Sequence, residues 1–166
     1  MLPLFLFSQK RNNIWMLGSL STHANYGIDF NLGIADTFPI YRPMDFRFTN
    51  VCISDSAGQL LFYTNGIYIA NLNHDSLQNT TGFNPGFYTT YWQPYGLQIQ
   101  QACLIFPAPG SDSLYYIFHE SADTLSIYDA PTNLRYSVVD ITLDSGLGGI
   151  IPSKKNIIVV DDTLIW

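Results

Sequence analysis

An all-β fold is what this sequence predicts, and three observations predict it. A strand–turn–strand segment occurs twice, first as Val51-Cys52-Ile53-Ser54 with Leu60-Leu61-Phe62-Tyr63-Thr64, then as Ala102-Cys103-Leu104-Ile105 with Leu114-Tyr115-Tyr116-Ile117-Phe118. Twelve Asp stand against a single Glu, Glu120, and Asp suits turns where Glu suits helices. No window of about twelve residues carries a 3.6-residue apolar period free of Gly or Pro. Cys52 and Cys103 hold the same place in the two copies, 51 residues apart. A strand repeat of that period has the scale of a β-propeller blade. The expected architecture is a set of antiparallel, propeller-like blades forming an incomplete propeller.

The elements follow in order. Ile14–Leu17 and Tyr26–Asn31 are short apolar-rich runs flanked by Gly18, Gly27 and Gly33. Val51–Ser54 leads through Asp55-Ser56-Ala57-Gly58 into Gln59–Thr64. Asn65-Gly66 then predicts a type I′ hairpin turn into Ile67–Ala70, because that dipeptide tolerates two positive φ angles. Residues 72–99 read as a long aromatic loop, of a length that is often functional. Strands are expected again at Gln100–Phe106, Leu114–His119, Leu134–Leu143, Asn156–Val160 and from Thr163. A change of apolar parity at Val138-Val139 predicts a bulge or a bend. Leu60–Tyr63 and Leu114–Phe118 are apolar on both faces, as strands buried between two other sheets would be.

Composition narrows the function. The chain of 166 residues carries a net charge of −6, enough length for one domain that buries roughly 70% of its unfolded surface. The basic residues are scattered, with no stripe to follow a phosphate backbone, so nucleic acid is not an expected partner. Met1 to Gln9 is too short an apolar stretch to span a bilayer, which takes about 20 residues. It reads instead as the remnant of a secretory signal, residues 1–9, ahead of a β-propeller fragment at 10–166 with blade-like repeats at about 50–99 and 100–166. The alternative for this segment is an apolar first strand. No other segment is apolar enough for a membrane span. The two cysteines lack metal-ligand spacing and, on equivalent strands of neighbouring blades, lie too far apart to bridge.

A resemblance rests on residues spread along the chain. Ile14-Trp15-Met16-Leu17-Gly18, Gly27-Ile28-Asp29-Phe30, Ile53 to Gly66, Asn73-His74, Pro107 to Phe118, Tyr136 to Asp140, Gly146-Leu147-Gly148 and Lys155-Asn156 come in a characteristic order. Together they resemble the N-terminal β-propeller region of large secreted bacterial proteins that end in a type IX secretion sorting domain, some of them gliding-motility-associated. The resemblance runs from about Asn13 to Leu164. It implies roughly the first two blades of a longer ring, export to the cell surface, and further blades as partners. That family offers no catalytic residues to carry across.

Candidate sites are few. Tyr88, Tyr91, Trp92 and Tyr95 form an aromatic set that suits stacking on a sugar or peptide, or else pins the long loop to the fold. Ser56, Ser76, Ser113, Thr124 and Thr163 sit in Asp-(Ser/Thr)-apolar triplets, which look like O-glycan acceptors of exported proteins in such bacteria. They equally mark turns before apolar strands. His119-Glu120 and Asn73-His74-Asp75 each place an acid/base group at a strand end, without a visible second group. His23 reads as a polar turn residue. No cluster has metal-ligand spacing, and no nucleotide or nucleophile-elbow motif is present, so no metal and no cofactor are expected. The expected function is a non-catalytic, exported cell-surface scaffold or adhesion module, with a surface glycan or protein as the partner. The alternatives are a carbohydrate- or peptide-binding module using the aromatic loop 84–96 and, more weakly, a fragment of a secreted hydrolase.

Overall fold

The computed structural model describes residues 9–18, 25–93, 95–122, 131–162 and 164. They build three antiparallel sheets, the first two simple meanders in chain order and the last a meander whose final strand returns to pair beside an earlier one. The first joins β1 (Ile14–Leu17), β2 (Asn25–Asp29) and β3 (Asp36–Ile40). The second joins β4 (Val51–Ser54), β5 (Leu60–Thr64) and β6 (Ile69–Asn71). The third runs from β7 (Cys103–Pro107) through β8 (Leu114–Ser121) to β9 (Asn133–Asp140), and β9 also pairs with β10 (Gly149–Ile150) and β11 (Ile157–Val160).

The first strands of the three sheets are neighbours: β1 lies against β4, and β4 against β7. The Ser54 amide donates to the Arg11 carbonyl at 2.8 Å. The Cys52 thiol donates to the Ile14 carbonyl at 3.1 Å. Cys52 and Cys103 stand on β4 and β7, the first strands of consecutive sheets, and both are free thiols.

The middle sheet is buried on both faces, because alternate residues of each strand point to opposite sides. Ile53, Phe62 and Ile69 pack with Ile105, Tyr115, Ile117, Val139 and Ile150 of the third sheet. Tyr63 and Ala70 face the other way, into Ile14, Met16 and Ile40 of the first sheet and Met44 and Phe46 of the segment after it. The doubly apolar reading of Leu60–Tyr63 is thereby accounted for. In β8 the two faces differ: Tyr115, Ile117, His119 and Ser121 are buried, while Leu114, Tyr116, Phe118 and Glu120 are half-buried.

Turn chemistry fixes the first hairpin of the middle sheet. The Asp55 carboxylate accepts from the amides of Ala57 and Gln59, and Gly58 takes a φ of 92°. The next turn departs from the expected type I′. Thr64 pairs with Ile69, so residues 65–68 form a four-residue loop in which Gly66 alone has positive φ. Asn65 instead uses its side-chain oxygen to accept the amides of Ile67 and Tyr68, the side-chain-capped turn for which Asn competes with the backbone.

Other differences have local causes. Asp36–Ile40 is a strand that the sequence hides, since Pro39 removes a ladder donor; β3 is an edge strand, where proline is tolerated. The expected loop at 72–99 contains a six-residue helix, α1 (Phe87–Trp92). The β8–β9 register is unbroken across Val138-Val139, so the parity change is no bulge. Both valines are buried because β10 and the turn Pro152–Lys154 cover β9 there.

Candidate functional site

The aromatic segment divides between core and surface. Along α1, residues four apart share a face. Tyr88 is fully buried among Ile67, Leu97, Ile99, Ala102 and Ala122, and its hydroxyl donates to the Gln98 carbonyl at 3.3 Å. Trp92 packs beside it, partly buried. On the outward face Phe87 and Tyr91 are each 54% exposed, with ring centres 6.2 Å apart. Tyr95 is exposed and lies under the Arg47 guanidinium at 4.8 Å. Tyr88 and Trp92 thus anchor the segment, whereas Phe87 and Tyr91 form an accessible aromatic pair and Tyr95 is exposed on the far side of Trp92, against Arg47. Phe87 was legible as the outward i−4 neighbour of Tyr91 only once the helix was known.

The second candidate centres on His119. Asn84 donates from Nδ2 to the carbonyls of Gly66 and Glu120, both at 2.9 Å. Its Oδ1 therefore accepts from Nδ1–H of His119 at 3.0 Å. That tautomer leaves Nε2 to accept the Ser137 hydroxyl at 3.1 Å. Ser137 Oγ in turn accepts the Asn156 amide at 2.9 Å, and Asn156 Oδ1 accepts the Asn84 amide at 2.9 Å. The chain Asn84–His119–Ser137 has the hydrogen-bond order of an acyl-transfer triad. All three residues have 0% exposure, and the Phe83 ring lies 4.4 Å from the imidazole. No substrate reaches Ser137 in this arrangement. It ties the 82–86 loop to β8, β9 and the turn before β11.

Burial, helped by the Arg135 charge, pushes His119 down to about 3. The neutral ring is the folded form, while the unfolded chain takes up a proton near pH 6.5. A lowered folded value gives stability that is complete above pH 6.5 and is lost as pH falls towards 3. His74 is shifted the same way by burial, and Glu120, raised by burial, works in the opposite sense at the acid end. The urea midpoint is expected to fall between pH 7 and pH 4.5, at up to about 1.4 kcal/mol per pH unit from His119. A midpoint that holds or rises over that range would contradict this.

His74 accompanies Tyr63 on the other side of the middle sheet. The Tyr63 hydroxyl lies 3.0 Å from His74 Nδ1, with the rings edge to face. Burial raises the Tyr63 hydroxyl, so tyrosine is the donor. A cleft of about 550 Å³ beside them is lined in part by Tyr68, His74, Asp75 and Gln93. Arg42, buried against the Phe46 ring at 3.9 Å, donates to the carbonyls of Leu17 and Gly18. The His74 and His119 groups sit in separate clusters, one on each side of the middle sheet.

Of the proposed glycan acceptors, Ser56 is exposed in a turn, Ser76 is exposed in an isolated β-bridge with Ala70, and Ser113 is half-buried before β8. Thr124, Thr163, His23 and residues 1–8 lie outside the described residues. Among the described residues, no group of three or more His, Cys, Asp or Glu side chains is placed to hold a metal ion. No helix among them is long and apolar enough to cross a membrane.

No family model, no curated protein and no solved structure matches this chain.

Proposed function

We propose that the chain is a non-catalytic, exported scaffold or adhesion module built from propeller-type blades. The observation that carries this reading is the stacking of three meander sheets with β1, β4 and β7 side by side. Sheets that radiate from adjacent first strands are the way propeller blades share a central axis. The titratable groups deepest in the stack fit a structural role. His119 is neutral, hydrogen-bonded at both ring nitrogens and fully covered.

A fluorophosphonate probe, which reacts with activated serines, tests the non-catalytic part. The native chain is expected to remain unlabelled. Labelling that Ser137→Ala abolishes would replace this reading with a hydrolase.

One observation favours a second reading, glycan or peptide binding: the outward rings of Phe87 and Tyr91 lie side by side and offer an aromatic surface that a sugar face can cover. A glycan array compared between the native chain and Tyr91→Ala decides it. Tyr91 is the informative position because its ring is on the surface, whereas Trp92 supports the loop. Retention of a glycan by the native chain and its loss in the variant would support binding; no retained glycan would end this reading.

A further inference from the structure

We infer that the cleft between β1 and β4 binds a neutral, hydroxyl-rich ligand, a sugar unit of a glycan. The inference goes beyond the scaffold reading and shares no residue with the outward pair of Phe87 and Tyr91.

The cleft holds about 440 Å³, within the range of about 300–1,000 Å³ that takes a small molecule. Chain entering each of the three sheets reaches it. Asn12 comes from the turn before β1, Asn50 from the residue before β4 and Gln101 from the turn before β7. Asn50 and Gln101 hold the same place in the two repeats, two residues before Cys52 and Cys103, and Asn12 stands two residues before Ile14. All three are exposed. A carboxamide offers two donors and an acceptor, so three of them suit hydroxyls, which both give and accept hydrogen bonds. Among the described residues that line the cleft, none is charged. The lining therefore offers no cation to a phosphate or carboxylate and no anion to a metal or an amine.

Trp15 supplies the apolar face. Its ring is 51% exposed and its orientation is set. Nε1–H donates to the Asn12 carbonyl at 3.0 Å, and Phe30 meets the ring edge to face with centres 5.2 Å apart. With the indole N–H used inside the fold, what remains for a ligand is the ring face, which the C–H side of a sugar can cover.

The surrounding frame is fixed as well. The Cys52 thiol joins β4 to the Ile14 carbonyl of β1. Thr49 donates its hydroxyl to the Ile99 carbonyl and accepts the Ala102 amide at 3.3 Å, bracketing Gln101. Gln101 has a φ of 49°, a conformation that glycine and asparagine adopt more easily than glutamine. Local backbone preference does not account for a glutamine there, whereas a side chain that reaches a ligand does.

A glycan array carrying neutral and acidic sugars, followed by titration of each glycan retained, tests the site. The native chain should retain at least one neutral glycan. Trp15→Ala and Gln101→Gly should each weaken that binding at least about 10-fold, the loss of one stacking or hydrogen-bond contact. Tyr91→Ala should stay within about twofold of the native chain. Gln101→Gly separates binding from folding. Its urea midpoint should stay close to the native value, since relief of the positive φ offsets the added freedom of the unfolded chain. No neutral glycan retained overturns the inference and leaves the three-sheet scaffold standing. Retention that survives either Trp15→Ala or Gln101→Gly puts the sugar elsewhere and overturns this site. Displacement of the glycan by free adenine would show a nucleobase slot and overturn the assignment to sugars.

Discussion

Asn84→Ala should be among the most damaging single substitutions, costing about 3–5 kcal/mol of unfolding free energy. Its amide satisfies the carbonyls of Gly66 and Glu120, and its oxygen holds Nδ1–H of His119. Alanine leaves three buried polar groups without their present partner at once. Each unmet group costs about 1–3 kcal/mol, and neighbours do not add fully. The backbone contributes as well, since Asn84 has a φ of 49°, a conformation asparagine tolerates better than alanine. Ser137→Ala is the milder comparison: it leaves Nε2 of His119 and the Asn156 amide without partners but preserves the Asn84 links. Urea unfolding of both variants reads the difference. A loss under about 1 kcal/mol for Asn84→Ala would mean that the network is not tying the sheets together.

Phe62→Ala is expected to cost a similar 3–5 kcal/mol by a different route, the loss of apolar burial together with the cavity left behind. Phe62 is 1% exposed and meets Tyr115 edge to face, with ring centres 5.6 Å apart. That pair lies in the cluster between the middle and third sheets. The effect should appear as a shifted midpoint with an unchanged denaturant slope. Separate transitions for the two halves of the molecule would instead show that the sheets unfold independently. An outward ring such as Tyr91 should change stability by less than about 0.5 kcal/mol.

The middle sheet was readable because its signals agree: short apolar β-branched and aromatic runs, an Asp- and Gly-bearing turn between them, and strands apolar on both faces. The same logic found β7, β8, β9 and β11. It failed at β3, where Asp36 and Pro39 are poor strand residues that an edge position accepts. It failed at α1 because Phe87-Tyr88-Thr89-Thr90-Tyr91-Trp92 is composed of residues that favour strands. There the burial of Tyr88 overrides local preference, as tertiary packing often does for short helices. In the first sheet, ahead of the two repeats, the strands at β1 and β2 were legible but their completion by β3 was not, because of Asp36 and Pro39.

The site was less legible than the fold. Of the aromatic set, sequence could not say which rings face inward. His119 drew notice as a titratable residue at the end of an apolar strand, but its partners come from distant positions. Asn84 lies 35 residues before it and Ser137 18 residues after it. One signal was present: His119 continues the alternate-residue run of Tyr115 and Ile117, and Ser137 shares the parity of Val139, inward positions where a polar group needs a buried partner.

Burial raises the thiols of Cys52 and Cys103, so each sulfur stays protonated near neutrality and holds little of the anionic form that attacks disulfides. Held on separate sheets, they are poorly placed to find each other or a foreign thiol. An oxidising medium would meet a folded chain whose two sulfurs are both held in the unreactive thiol form.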